Sequence, residues 1–235
     1  MITKDSRNLA GIDYCQGEVI LIDKEINKTS FNAIYKIRKT INIQKIGHAG
    51  TLDPKATGLL IICTGKKTKD IEKFQSLEKT YTGTITLGKV TPSMDSETEV
   101  LEEKDYSGIT PAQIDEVRKS FTGHILQIPP MFSAIKFKGK SLYKYARKGV
   151  DIARQAREVL VSDFIIHKID LPEIHFEIKC SKGTYIRVIA HDFGSKLGCG
   201  GYLSSLRRTS IGEYPVSCAL SIEEFIERYS VPEEA

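Results

Sequence analysis

Residues 47–63 read GHAGTLDPKATGLLIIC, a glycine-rich polar loop running without a break into five apolar residues. The apolar run LLIIC (59–63) is short and continuous, as expected of a central strand buried on both faces. The loop before it holds a single carboxylate, Asp53. Asp-Pro is a standard helix opening, in which the carboxylate accepts backbone N–H bonds and proline takes the first helical position. That reading leaves His48 and Thr51 unexplained. A carboxylate on a tight loop above a central strand is also well placed to meet a ligand, because the scaffold holds it still.

Outward from that loop, helix and strand signals interleave. EVILIDK (18–24) reads as a buried strand. A helix capped at Thr29 or Ser30 follows, with Phe31, Ile34, Ile37 and Ile41 along one face. YTGTITL (81–87) places Tyr81, Gly83, Ile85 and Leu87 on one side of a strand. Residues 88–106 are polar and acidic and read as a mobile loop. Thr110-Pro111, then Ile114, Val117 and Phe121, mark a helix with its cap and stripe. IHFEIKC (174–180) alternates with Ile174, Phe176, Ile178 and Cys180 on one face, and a helical segment, VIAHDFGSKL, follows SKGTYIR. Ser221 and Glu224 form a capping box on a last helix with Ile222, Phe225, Ile226 and Tyr229 inward. No regular βαβ rhythm appears, so the fold class is α+β with a mixed sheet.

Composition narrows the function. The chain has 235 residues, 40% hydrophobic and 27% charged, with a net charge of +4. No apolar stretch has the length of a membrane span or a signal-peptide core, which points to a cytoplasmic protein. Five scattered cysteines without a CxxC spacing argue against a disulfide framework or zinc ribbon, and the five histidines lack metal-ligand spacing. GLLIICTGK (58–66) only superficially resembles a phosphate-binding loop, because the residues between its glycines are mostly apolar. Neither a metal nor a cofactor is expected. The charge is uneven: residues 121–150 contain six cations and no acid. Such a segment suits a polyanionic partner.

Five blocks carry a specific resemblance: GHAGTLDPKATGLL, KTYTGTITLG (79–88), QIPPMFSAIKFKGKSLYKYARKG (127–149), GTYIR (183–187) and YLSSLRR (202–208). In this order they resemble the TruB family of tRNA pseudouridine synthases over residues 18–210. The resemblance implies a pseudouridine-synthase fold: a bent, mixed, largely antiparallel sheet with flanking helices and an inserted basic thumb, here about 124–150. It implies an isomerase that flips the uridine at position 55 of the tRNA T-arm, detaches the base at N1 and rejoins it through C5, without cofactor or metal.

By resemblance Asp53 is the catalytic carboxylate, and attack on ribose or on base both remain open. Arg187 of GTYIR pairs with it, and Tyr81 stacks on the uracil and is a candidate for later proton abstraction. Leu206 packs against the flipped base, His48 enters the T-loop, and Tyr185 lies in the substrate site. The arm offers phosphates Lys136, Lys138, Lys140 and Arg147, with aromatic residues interleaved.

The family's KPxGxTS block is KEINKTS here (24–30). Lys24, a candidate substrate-binding residue by resemblance, is kept with Thr29 and Ser30, and Asn27 stands for glycine, which tolerance of positive φ allows. Phe132 stands where tyrosine is common. The chain ends in SVPEEA without room for a C-terminal PUA domain, which leads to the expectation of one catalytic domain over 1–235, a monomer, and strongly salt-dependent tRNA binding. The rivals are an rRNA- or guide-RNA-directed synthase and a non-catalytic tRNA-binding or folding protein.

Overall fold

The computed structural model describes residues 1–7, 9 and 11–229; the SVPEEA tail lies outside the described residues. In chain order the elements are β1 (Val19–Lys24), α1 (Ser30–Thr40), β2 (Ile46–His48), β3 (Ala56–Thr64), α2 (Ile71–Ser76), β4 (Lys79–Leu87), β5 (Lys89–Val90), β6 (Glu102–Glu103), α3 (Pro111–Ser120), β7 (Gly123–Gln127), β8 (Lys136–Phe137), β9 (Lys140–Ser141), α4 (Leu142–Ala146), β10 (Arg157–Asp170), β11 (Glu173–Cys180), α5 (Ile186–Lys196), β12 (Gly201–Ile211), β13 (Tyr214–Pro215) and α6 (Ile222–Tyr229). The class is α+β, with mixed and mostly antiparallel strand pairing. The chain divides into two compact units: Met1–Tyr81 with the stretch from Leu206 onward, and Thr82–Ser205.

In the first unit β3 is the hub. It runs antiparallel to β1 (Val19↔Cys63 through Lys24↔Gly58) and to β2, and parallel to β12 at Leu206↔Ala56, Arg207↔Thr57 and Arg208↔Gly58. Ile20, Ile22, Leu60 and Ile62 pack on one side against Ala33, Ile34 and Ile37 of α1 and Phe225 of α6. Val19, Leu21, Leu59 and Ile61 pack on the other with Ile211, Ile71 and Phe74. Covering on both faces is why VILI and LLII are apolar without alternation. Each fully buried aliphatic side chain stabilises by about 1.5–3 kcal/mol.

α1 starts where the capping residues place it, with Thr29 and Asn32 forming a reciprocal box. Phe31 departs from the expected inward stripe and is 67% exposed. The inward turn position is taken by Ser30 instead, whose hydroxyl binds the backbone of Leu52. α6 begins at the expected box, with Ser221 N–H on Glu224 at 2.7 Å and Glu224 N–H on Ser221 at 3.0 Å.

In the second unit β10 pairs with β11 and with β7, both antiparallel. The alternation read in 174–180 holds: Ile174, Phe176, Ile178 and Cys180 are all buried. Phe164 of β10 meets Phe176 and Phe193, and Phe193 stacks on Phe121, with ring centroids 5.9–6.0 Å apart. This aromatic cluster ties α3, α5, β10 and β11 together. Gly123–Gln127 belongs to the sheet, so the basic segment leaves the core after Gln127. Residues 88–106 differ from the loose loop expected of their composition. Thr91, Ser93 and Asp95 are buried, and Lys89–Val90 pairs with Glu102–Glu103. Hydroxyls do this: Thr91 donates to Asp95 O at 2.7 Å, and Ser93 and Thr98 bond each other at 2.8 Å.

Candidate active site

In the first unit, Asp53 sits on the loop between β2 and β3, and four contacts fasten that loop. Ala49 N–H donates to Ile61 O at 2.9 Å, and Asn27 N–H to Pro54 O at 2.8 Å. Ser30 Oγ accepts from Leu52 N–H at 2.9 Å and donates to its carbonyl at 3.2 Å. Ala56 N–H closes a β-turn onto Asp53 O at 3.1 Å. Pro54 therefore occupies the second position of a turn, and no helix starts there, contrary to the Asp-Pro helix opening. A helix would forfeit the pairing of Ala56 and Thr57 with β12.

Lys24 lies under this loop, fully buried. Its ammonium donates to Glu25 O at 2.8 Å and Lys28 O at 2.7 Å, clasping the turn in which Asn27 adopts φ +61°. The positive φ that asparagine tolerates is thus realised. Burial lowers the Lys24 amine to about 8, against the raising field of the Asp53 carboxylate. Arg208 is a second buried cation, missed in the sequence because it reads as one of two adjacent arginines. Its Nε donates to Leu59 O at 2.7 Å and a terminal nitrogen to Gly50 O at 3.1 Å. Next to it, Gly58 has φ +104°, and a Cβ there would stand 2.3 Å from Arg208 O. Only glycine lets β3 and β12 approach so closely.

His48, half-buried in β2, is held below its usual pKa by burial, with the Gly50 backbone acting the other way. Its imidazole is neutral near pH 7 and suited to hydrogen bonding rather than to carrying charge. Leu206 remains partly accessible in β12, whereas Tyr81 of β4 is 9% exposed.

In the second unit, Arg187 is the second residue of α5 and is buried, where a strand-end surface charge would be open. Its guanidinium meets Asp95 at 3.2 Å, donates to Phe132 O, and lies 5.8 Å from the Tyr185 ring centroid. Asp95 was missed because its acidic neighbours make it look like solvated surface. A buried ion pair is strongly destabilised by loss of one partner, since the other charge is stranded. Gln127, likewise missed, exchanges two hydrogen bonds with the Tyr185 backbone at 3.0 and 3.1 Å. Lys136, Lys138, Lys140 and Arg147 are all exposed on the arm. Lys138 and Gly139 turn the β8–β9 hairpin with φ +47° and +78°, presenting the lysines around its tip.

Among the described residues no group of three or more His, Cys, Asp or Glu could hold a metal ion. Among them, too, no helix is long and apolar enough to cross a membrane.

Residues 38–186 match the TruB family pseudouridylate synthase N-terminal domain, and 187–234 the tRNA pseudouridylate synthase B C-terminal domain. The chain belongs to the TruB family. It is 48% identical over 217 residues to tRNA pseudouridine synthase B of Chlorobium chlorochromatii (strain CaD3), covering 90% of this chain and 85% of that protein. The corresponding protein of Chloroherpeton thalassium (strain ATCC 35110 / GB-78) is 47% identical over 93% of both chains. Among solved structures, a Cbf5-Nop10-Gar1 complex contains a chain that superposes with a TM-score of 0.70 at 28% identity. The match covers 89% of this TruB-family chain and 53% of that one, so the present chain spans about half its length. The Asp53 loop falls within the N-terminal match, and the domain boundary at 186/187 falls beside Arg187.

Proposed function

We propose that this TruB-family enzyme converts uridine 55 in the tRNA T-arm to pseudouridine, with Asp53 as the catalytic carboxylate. The fastening of the Asp53 loop from four directions carries the proposal, and the names of the relatives support tRNA as substrate. The N1–C1′ bond breaks, the uracil turns, and C5 bonds to C1′ while the proton on C5 is lost to solvent and N1 is protonated. The reaction is redox-neutral and needs no co-reactant.

Asp53 supplies the negative charge at the reacting centre, either by covalent attack or by stabilising cleavage. Arg208 holds its loop at Gly50, and Lys24 holds the 25–28 turn from which Asn27 N–H donates to Pro54 O. Arg187, fixed by Asp95, is assigned to orient the carboxylate, and a guanidinium can do this bidentately. Tyr81 and Leu206 take the two sides of the extruded base. Neutral His48 contacts the T-loop, Tyr185 adds a substrate contact, and the arm cations hold phosphates. The protein is incubated with a T-arm stem-loop carrying 5-tritiated uridine, and tritium release is followed. Asp53→Asn is expected to bind this RNA and release no tritium. Release that survives the substitution removes Asp53 from the chemistry.

A further inference from the structure

Residues 26–52, which end at the residue before Asp53, contain no acid and five cations: Lys28, Lys36, Arg38, Lys39 and Lys45. They form a basic segment separate from the arm, and α1 runs through it. The inward side of α1 is Ser30, Ala33, Ile34 and Ile37, all buried. The outward side carries Phe31, Tyr35, Arg38 and Lys39 at i, i+4, i+7 and i+8, a single stripe on a helix. All four are exposed, Phe31 at 67% and Tyr35 at 55%. Lys28, exposed just before the helix, continues the stripe beyond its first turn.

Scattered apolar side chains on a surface are ordinary. Two large aromatic rings one turn apart, with Ile26 also 55% exposed in the preceding turn, make a patch. The patch begins beside the catalytic loop. Ser30, the neighbour of Phe31, exchanges two hydrogen bonds with Leu52, the neighbour of Asp53. Asn27 N–H donates to Pro54 O at 2.8 Å, and Lys55 Nζ donates to Asn27 Oδ1 at 3.1 Å.

Charge selects the partner. Among the described residues, Lys36 alone of the α1 cations pairs with a carboxylate, Glu223 of α6 at 3.1 Å. A protein-docking face is depleted of charge at its centre. Rings interleaved with cations, without an acid among them, match an unpaired nucleic-acid strand: the rings take base faces and the cations take phosphates.

We propose that the outer face of α1 is an RNA-docking surface, on which Phe31 and Tyr35 stack unpaired bases near the target uridine. Lys28, Arg38 and Lys39 hold the phosphates of the same strand. The inference rests on the reading of this chain as an RNA-modifying enzyme, and it adds a contact outside the basic arm.

The test uses the full chain and an unmodified tRNA transcript. Phe31→Ala and Tyr35→Ala remove a ring without changing charge, and each is expected to raise Kd 5-fold or more. Phe31→Tyr and Tyr35→Phe keep a ring and should bind within about 2-fold of wild type. Changing Lys28, Arg38 and Lys39 together to glutamine should reduce the slope of log affinity against log salt by about 2, whereas the alanine variants keep the wild-type slope. Melting temperatures should stay within about 2 °C, because the substituted side chains face solvent. The chain has no tryptophan, so Phe31→Trp supplies a single reporter whose emission a stacked base quenches.

Alanine variants that bind the transcript like wild type overturn the surface, as does unquenched Phe31→Trp emission with RNA bound. A dimer in sedimentation that Phe31→Ala splits, with RNA affinity unchanged, assigns the patch to a second copy and overturns it too. Wild-type protein that neither binds nor isomerises the transcript overturns the parent reading. Wild-type tritium release beside unaffected alanine variants overturns this inference alone.

Discussion

Gly58→Ala tests how the catalytic loop is tied to the sheet. Gly58 has φ +104°, and an added Cβ would lie 2.3 Å from Arg208 O and 2.7 Å from Arg208 N. Two costs follow. Forcing alanine into left-handed backbone costs about 1–2 kcal/mol. Pushing apart β3 and β12, where Gly58 pairs with Arg208, costs about 1–3 kcal/mol more. The neighbour is backbone on both counts and cannot swing aside. The sum, about 3 kcal/mol, corresponds to a fall of roughly 6–12 °C in melting temperature for a chain of this size.

Gly198→Ala is the control: φ there is +80°, and nothing lies within 4 Å of the added Cβ. It bears only the conformational cost and should fall by roughly 2–6 °C. Differential scanning calorimetry on both variants reads the difference. Tritium release should also drop in Gly58→Ala, because Arg208 holds Gly50 and Leu59 on either side of Asp53. Equal melting shifts in the two variants would refute the close-approach argument.

Further outcomes follow from the same contacts. Ser30→Ala removes two buried hydrogen bonds to Leu52 and should destabilise by about 1–3 kcal/mol, read from the urea midpoint. Lys24 has a folded-state pKa of about 8 against 10.5, so above pH 8 the native chain releases its proton before the unfolded chain does. Stability attributable to Lys24 is therefore constant below pH 8 and rises from there toward pH 10.5. The difference between wild type and Lys24→Met in urea titrations should carry that slope, whereas the raised Cys63 and Tyr14 groups cancel in the comparison. Changing Lys136, Lys138, Lys140 and Arg147 together to glutamine should reduce the slope of log affinity against log salt by about 3. An unchanged slope means that these cations do not meet phosphate.

Elements set by neighbouring residues were legible in advance. The α1 and α3 caps, the α6 capping box and the alternation of 174–180 all act within a few positions, so pattern and propensity suffice. β10 was not read as one strand, because register shifts at 161/163 and 166/168 break its period of two. β12 was read only as a motif: its serines and arginines lack strand character, and its conformation comes from pairing with β3. The acidic 88–106 segment was misread because composition counts charges without showing which one turns inward.

What the sequence by itself determined is the family, the candidate carboxylate and the basic arm, since these reside in residue types at fixed spacing. Only the tertiary structure decided the surroundings of the charges. Lys24, Arg187 and Arg208 look like ordinary surface cations in a string of letters, yet all three are buried. A buried cation needs partners: Lys24 finds the nearby carbonyls of Glu25 and Lys28, but those of the arginines are remote, Asp95 lying 92 positions from Arg187 and the Leu59 carbonyl 149 from Arg208. Desolvation makes such pairings obligatory, but the folded chain alone selects which residues meet.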